Sequence, residues 1–288
     1  MSDPIIQCVP NFSEGRRPEV VQAIVNAVAS TPGVRLVDWS ADTDHNRMVV
    51  TFVGPPDPVA KAAKLAAAAA VRHISLTDHH GVHPRLGAID VLPLVPIRDI
   101  TISQCSELAV RLGEDIAREL DLPVFLYEFA SRQHRTLPDV RREAFSEIKP
   151  DFGPMTPHPT AGAVVVGARG PLIAYNVNLG ASDIRIARRI ARELRADGAG
   201  GFQGVRALGL ALESRALTQV SINITRPEET SLYTLFSYIA KRADELGTKA
   251  VESEVIGALP GFSAFGLIRD AIAATGIKPG QVLWENWP

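Results

Sequence analysis

LIAYNVNL, residues 172–179, begins the part of the sequence that decides the fold. Its bulky apolar residues predict a buried strand. The segments that follow predict a helix, two strands, a helix and a strand, over residues 183–195, 205–213, 217–225, 228–246 and 250–256. Strand, helix, strand, strand, helix, strand is a ferredoxin-like order, with helices on one face of a mixed or antiparallel sheet.

The first half of the chain repeats this order weakly. CVPN at residues 8–11 closes the first predicted strand, as YNVN at residues 175–178 closes the strand of the second half. TFVGPPD at residues 51–57 resembles NITRPEE at residues 223–229, since both end a strand and begin a helix. The offsets of the two pairs differ by only five residues.

We therefore predict an α/β (α+β) fold of two ferredoxin-like-related lobes. Each lobe is expected to be a mixed β-sheet with helices on one face, and a cleft is expected between the lobes. The boundary is placed after residue 171, which gives an N-terminal subdomain of residues 1–171 and a C-terminal subdomain of residues 172–288. Within the first, residues 88–96 predict a strand, and Pro93 and Pro96 indicate either a sheet edge or a strand end there.

Composition excludes several classes of partner. The chain has 288 residues, 46% of them hydrophobic, and a formal net charge of −2, which provides no basic surface for nucleic acid or an anionic membrane. The longest apolar run, Leu65–Val71, is too short to cross a bilayer. Cys8 and Cys105 lie in apolar segments and predict two buried thiols rather than a disulfide. With no secretory signal evident, these features predict a cytoplasmic protein.

DHHGVHPRLGAID, residues 78–90, concentrates the groups that can do chemistry. It places three of the seven histidines within five positions and adds an arginine and two aspartates. The proline after His83 favours extended backbone at that histidine. We expect a loop that ends at a sheet and presents an imidazole, which titrates near neutral pH and can accept and return a proton.

A metal site is the alternative interpretation of this loop. Asp78, His79, His80 and His83 offer nitrogen and oxygen ligands, which would suit a metal-dependent amidohydrolase. Adjacent histidines on an extended loop point in opposite directions, however, and no second cluster completes a ligand shell. We therefore predict no metal.

The chain resembles the formiminotransferase family over nearly its whole length. The matching stretches are CVPNFSEG (residues 8–15), NR and TFVG (46–47 and 51–54), HPR, GA and DV (83–85, 87–88 and 90–91), DFGP (151–154), GAR (167–169) and LIAYNVNL (172–179). The resemblance implies transfer of a formimino group from N-formiminoglutamate to N5 of tetrahydrofolate, with release of glutamate. Tetrahydrofolate would then be a co-substrate.

The resemblance also implies roles for particular residues. His83 matches the family's catalytic histidine. The family's folate-binding segment matches Gly153, Pro154, Met155, Thr156, Pro157, His158, Pro159, Thr160, Ala161 and Gly162. Two positions depart from the pattern, because Ser40 stands where some members carry an acidic residue and Thr160-Ala161 replaces a Ser-Trp pair of animal forms.

The chemistry of this transfer indicates further candidates. An imidazole between the attacking and departing nitrogens can act first as base and then as acid. A protonated amidine is cationic, so a carboxylate such as Asp38 or Asp90 would stabilise it, and we assign Asp38 and Arg85 to the catalytic group with His83. Arg47 and Arg85 are the first candidates for binding substrate carboxylates.

Asn11 is placed with Arg47 in substrate binding, although it could instead cap the first helix. The basic segment Arg132–Arg142 is interpreted as a solvated face. Besides the amidohydrolase, a folate-binding protein without turnover is the remaining alternative. Exposed sheet edges and the resemblance together predict a homodimer that binds small molecules and neither nucleic acid nor a membrane.

Overall fold

The computed structural model describes residues 3–80, 85–195 and 197–271. The chain divides into two compact units, Met1–Gly170 and Pro171–Pro288. His83 lies outside the described residues. In the part that the structure describes, no helix is both long and apolar enough to cross a membrane.

The first unit is a seven-stranded sheet with four α-helices among its described residues. Its elements are β1 (Ile5–Cys8), β2 (Asn11–Phe12), α1 (Pro18–Ala29), β3 (Arg35–Asp42), β4 (Arg47–Gly54), α2 (Pro56–His73), β5 (Ile89–Arg98), α3 (Ile102–Leu120), β6 (Val124–Glu128), α4 (Leu137–Glu143) and β7 (Val164–Ala168). β5 is antiparallel to β1 and parallel to β7, and β7 is parallel to β6. The sheet is therefore mixed.

Four strands of this sheet have the ferredoxin-like order. β1 lies between β5 and β4, and β3 pairs with β4 on its other side, always antiparallel. β2 continues the line of β1 beyond Pro10, since it pairs with the same two neighbours. β7 and β6 then extend the sheet beyond β5.

The described residues of the second unit repeat this arrangement without the extension. Its described elements are β8 (Ile173–Leu179), α5 (Ile184–Leu194), β9 (Val205–Leu212), β10 (Leu217–Ile224), α6 (Leu232–Glu245), β11 (Ala250–Ile256) and α7 (Gly261–Ala271). The strand order is β11-β8-β10-β9, with every pairing antiparallel. In the described residues, the second sheet is therefore wholly antiparallel, unlike the first. Each helical crossover of the second unit joins two parallel strands, but another strand lies between them, so these parallel strands are not neighbours.

The sequence echo marks equivalent strands. β1, continued by β2, begins the first unit, and β8 begins the second. The inner strand beside them is β4 in the first unit and β10 in the second. The two ferredoxin-like-related lobes expected from the order of elements are confirmed.

Of the two placements predicted for the strand over residues 88–96, the sheet edge is wrong, whereas Pro96 does lie close to a strand end, that of β5 (Ile89–Arg98). β5 is an inner strand, paired with β1 and β2 on one side and β7 on the other. Proline removes a donor but keeps its carbonyl, and the carbonyl oxygen of Pro93 accepts from the backbone amide of Val9 at 3.4 Å. The strand neighbouring β5 on that side is interrupted between β1 and β2. Fewer backbone N–H donors of β5 are therefore required opposite this interruption.

Helices cover both faces of the first sheet. The larger core lies under α1, α2 and α3, where Met48, Val50 and Phe52 of β4 are fully buried. A smaller core on the other face contains Val140 of α4 and Val165 of β7. The expectation of helices on one face therefore holds for α1–α3, while α4 lies on the opposite face. The second unit has its own core with α5 and α6.

We expect Ala66→Leu to destabilise the first unit. Ala66 is completely buried on α2, whose small side chains allow close packing, and three added carbons would force neighbouring helices apart. The free energy of unfolding, measured by urea denaturation, should fall by about 1–3 kcal/mol. The control Ala68→Leu, at a half-buried position of the same helix, should change it by less than about 0.5 kcal/mol. Equal losses would contradict this packing.

Candidate functional site

Asn11 and Arg47 meet on the face of the first sheet opposite α1–α3. Asn11 is in register with Val49 of β4. Because side chains alternate along a strand, Arg47 points to the same face as Val49, away from the core side of Met48. The guanidinium of Arg47 donates a hydrogen bond to Oδ1 of Asn11. Helix α1 has Arg17 at its N-cap, so the capping role considered for Asn11 is wrong.

Asp90 is a buried carboxylate at the beginning of β5. Its side chain is 3% exposed. Oδ1 accepts from the backbone amide of Leu86 at 2.9 Å, and Oδ2 pairs with the guanidinium of Arg141 on α4. Asp90 therefore ties α4 and the end of the preceding loop to the same strand.

Arg85 and Asn46 hold the two described ends of the loop that contains His83. Nη1 of Arg85 donates to Nε2 of His79 at 3.0 Å. Nδ2 of Asn46 donates to the carbonyl oxygen of His80 at 3.1 Å, and its Oδ1 accepts from the backbone amide of Gly15 at 2.9 Å. His79 is therefore a structural contact and not the freely solvated residue that a loop position suggests.

The segment assigned to folate binding by resemblance, residues 153–162, lies against both ends of that loop. The backbone amide of Leu76 donates to the carbonyl oxygen of Thr160 at 2.7 Å, and that of Ala88 donates to Ala161 at 2.8 Å. Much of the segment is exposed, including Met155 at 63%. Nδ1 of His158 accepts from the backbone amide of Ala161 at 3.0 Å, which closes the turn.

Gly87 and Gly162 make this contact possible. They form an isolated β-bridge, and a Cβ on Gly87 would lie 1.8 Å from the carbonyl oxygen of Ala163. Gly162 has a φ of +68°, in the left-handed region that glycine adopts without strain. A side chain at either position would separate the 153–162 segment from the loop.

Asp90 lies among several guanidinium groups. Burial is the main cause that lowers the pKa of Arg47 to about 10; Arg141 and Arg85 lower it further, while Asp90 raises it. The pKa of Arg85 is also lowered, chiefly by burial. Arg47 is thus influenced by Asp90 and by two other guanidiniums, and grouped guanidiniums can bind a carboxylate ligand.

The structure does not bring Asp38 to this group. Asp38 is exposed on the edge strand β3 and lies opposite Thr51, four residues along β4 from Arg47. Its catalytic role stays a prediction. Asp90, the other carboxylate considered, is the one that interacts with Arg47, Arg85 and Arg141.

Arg141 is the residue that sequence reasoning missed. The interpretation of Arg132–Arg142 as a solvated face is wrong for two of its arginines, because the side chains of Arg135 and Arg141 are only 13% and 18% exposed and pair with Asp151 and Asp90. Arg141 and Asp90 are 51 residues apart, so no local spacing connects them. Asn46, which joins Gly15 to His80, was missed for the same reason.

A metal site is not seen among residues 3–80, 85–195 and 197–271, where no group of three acidic, histidine or cysteine side chains is placed to hold an ion. His83 of the considered set lies outside those ranges. The absence of a metal therefore stays a prediction.

Comparisons with known proteins agree along the chain. The family models described as formiminotransferase domain, N-terminal subdomain, and formiminotransferase domain match residues 5–169 and 174–265. A glutamate formimidoyltransferase of Streptococcus pyogenes serotype M1 is 44% identical over 267 residues, with 89% of each chain covered. One of Thermoplasma acidophilum is 37% identical, covering 97% of this chain and 96% of the relative. A formimidoyltransferase-cyclodeaminase of Sus scrofa is 41% identical, over 89% of this chain and 50% of the relative.

We expect Gly87→Ala to destabilise the first unit and weaken folate binding, because the added methyl group collides with backbone rather than with a flexible side chain. The free energy of unfolding should fall by about 1–3 kcal/mol. Gly170→Ala is the control, since nothing lies within 4 Å of the point that its added Cβ would occupy, and it should behave as the unchanged protein. Wild-type stability and folate affinity in Gly87→Ala would contradict the close contact.

Proposed function

Because this chain belongs to the formiminotransferase family, we propose that it transfers the formimino group of N-formimino-L-glutamate to N5 of tetrahydrofolate and releases glutamate. The observation that carries the proposal is the match of both family subdomains in succession, together with a 44% identical relative named for this activity. Tetrahydrofolate is then a co-substrate.

His83 is the proposed acid and base. It would accept the proton of the attacking nitrogen and return a proton to the departing glutamate nitrogen, so that the imidazole is regenerated in each cycle. Support comes from the described ends of its loop, since Leu76 and Ala88 both hydrogen-bond to the 153–162 segment proposed to bind folate. The acceptor would therefore be held close to the loop that carries the base.

Arg47 and Arg85 are the proposed partners of substrate carboxylates. Both arginines are partly buried and interact with Asp90, and Arg47 is also affected by Arg141. Asn11 orients Arg47 by accepting its hydrogen bond, which is the substrate-binding role we assign to it. A carboxylate bound there would accept charge-assisted hydrogen bonds from the guanidiniums.

The amidine of the donor needs a different environment. Protonated, it is cationic, and a nearby carboxylate would stabilise it. Asp38 remains our candidate for this role, with Arg85 in the catalytic group beside His83. Exposed Met155 offers an apolar surface within the segment proposed for the folate ring.

The remaining proposals concern compartment and assembly. Both thiols, Cys8 and Cys105, are buried and unpaired, as expected in a reducing compartment, and we infer a cytoplasmic protein that uses no metal. We also propose a homodimer.

The direct test is a turnover assay with N-formimino-L-glutamate and tetrahydrofolate, in which glutamate release and the formimino-folate product are measured together. Equal amounts of both products are expected. Folate binding without glutamate release would instead support a carrier, and activity that disappears with a chelator and returns with zinc would support the amidohydrolase.

His83→Ala should abolish most of the turnover while leaving folate affinity within a few fold. Loss of a general acid and base typically lowers a rate by about 10²–10⁴. His80→Ala is the matched control in the same loop, because its side chain is exposed and the contact to Asn46 uses only its backbone carbonyl. Retained turnover in His83→Ala would refute the assignment.

Arg47→Gln should raise the KM of the donor or of folate by about 10- to 100-fold, the range expected for losing a hydrogen bond to a charged group. The effect on kcat should be smaller, since the bond forms in both ground and transition states. Arg185→Gln, whose side chain is 87% exposed on α5, serves as the control for loss of one positive charge. Unchanged KM values for both substrates would remove Arg47 from the binding site.

A further inference from the structure

The imidazole of His79 meets two different partners with one nitrogen. Its Nε2 lies 3.0 Å from Nη1 of Arg85 and 3.1 Å from the backbone carbonyl oxygen of Asn46. A guanidinium can only donate a hydrogen bond, and a carbonyl oxygen can only accept one. A ring nitrogen accepts when it carries no proton and donates when it carries one. Nε2 can therefore satisfy only one of these partners at a time.

The other ring nitrogen does not decide between them. The tautomer of a histidine is usually set by the hydrogen bond that its second nitrogen makes. Nδ1 of His79 is buried and has no hydrogen-bond partner among the described residues. The position of the ring proton is therefore decided at Nε2, by whichever of Arg85 and Asn46 interacts with it more strongly.

Asn46 is a fixed acceptor. It is 8% exposed, its Oδ1 accepts from the backbone amide of Gly15 at 2.9 Å, and its Nδ2 donates to the carbonyl oxygen of His80 at 3.1 Å. A Cβ on Gly15 would lie 2.7 Å from the backbone nitrogen of Arg47, the next residue after Asn46, so these two backbone segments are in close contact. The carbonyl oxygen of Asn46 is thus held in place independently of His79.

Arg85 is the partner that a ligand can take. A hydrogen bond from a charged donor is stronger than one between neutral groups, so in the free protein Nε2 accepts from Arg85. A carboxylate adds an opposite charge and two acceptor oxygens, and it binds a guanidinium more strongly than a neutral imidazole does. Arg85 is one of the two arginines proposed above to bind a substrate carboxylate.

We infer that His79 is a positioning residue that exchanges partners when a substrate carboxylate binds Arg85. In the free protein, Nε2 accepts from Arg85 and holds its guanidinium in place. Once the carboxylate has taken the guanidinium, Nε2 carries the ring proton and donates to the carbonyl oxygen of Asn46.

This exchange keeps the imidazole neutral. The ring proton leaves Nδ1 to water and another is taken from water at Nε2, so no proton is gained or lost overall. One hydrogen bond of the ring replaces the other, which lowers the cost of transferring Arg85 to the substrate. The inference rests on the proposed function, because that function supplies the carboxylate.

The test locates the ring proton by ¹⁵N NMR, in which protonated and unprotonated imidazole nitrogens give well-separated signals. The signals of His79 are identified by their loss in His79→Gln. At about pH 8.5, where most imidazoles are neutral, Nε2 should be unprotonated in the free protein. Arg85→Met removes the donor and should move the proton to Nε2 without any ligand. Arg16→Met is the matched control, since this charge acts on Arg85 but its Nε donates to the carbonyl oxygen of Thr43, and Nε2 should stay unprotonated.

Each substrate of the proposed reaction is then added alone to the unchanged protein, with binding followed by calorimetry. Saturation with the substrate whose carboxylate binds Arg85 should protonate Nε2. The inference is overturned if Nε2 is already protonated in the free protein, if it stays unprotonated in Arg85→Met, or if neither substrate changes it although both bind. Absence of turnover in the unchanged protein would refute the proposed function alone, because the comparison with Arg85→Met needs no substrate.

Kinetics provide a second measurement. His79→Ala should raise the KM of that substrate by about 10-fold, the effect of losing one hydrogen bond to a charged group, with a smaller change in kcat. His79→Gln should recover most of the loss, because its amide oxygen can accept from Arg85 while its amide nitrogen donates to Asn46. A glutamine variant that is folded by circular dichroism and yet as impaired as the alanine variant would contradict the role.

Discussion

The buried carboxylate of Asp90 is the interaction on which the polar side of the first unit depends. An ionised carboxylate that is taken out of water needs an opposite charge and hydrogen-bond donors. Arg141 supplies the charge, and the backbone amide of Leu86 supplies a donor. Because these groups come from α4 and from the loop before β5, one carboxylate fixes two segments that are distant in sequence. The loop that contains His83 therefore has a defined C-terminal end.

The same carboxylate lies among several arginines. Arg47 and Arg85 are both affected by Asp90, and Arg47 also by Arg141, while burial disfavours their charged forms. Holding guanidiniums of like charge close together in a partly buried place costs stability in the free protein. A ligand that brings a carboxylate recovers that cost. The arrangement thus favours anionic substrates by charge before any shape complementarity is considered.

Local sequence patterns predicted the elements well, and the limits of the prediction are physical. Helix α1 runs from Pro18 to Ala29 as its apolar spacing indicates, and the capping box at Thr101 begins α3. The position of β5 was missed because Pro93 and Pro96 were weighed as lost donors without knowing that the neighbouring strand is interrupted. Arg141 was missed because its partner lies across the fold, and long-range pairing leaves no periodic signal in the chain.

The repeated order of strands supplies a scaffold, and the differences between its copies produce the candidate site. Asn11 and Asn178 occupy equivalent strands, yet Asn11 accepts from Arg47, whereas Asn178 donates to Glu252 and accepts from Gln219. Among the described residues, the sheet of the second unit ends at β11, while that of the first continues into β7 and β6. The 153–162 segment leads into β7, so the extension places it against Gly87. Chemistry is therefore expected where the first copy was extended, because the described residues place the arginines around Asp90 and the 153–162 segment there, both in contact with the described ends of the loop that contains His83.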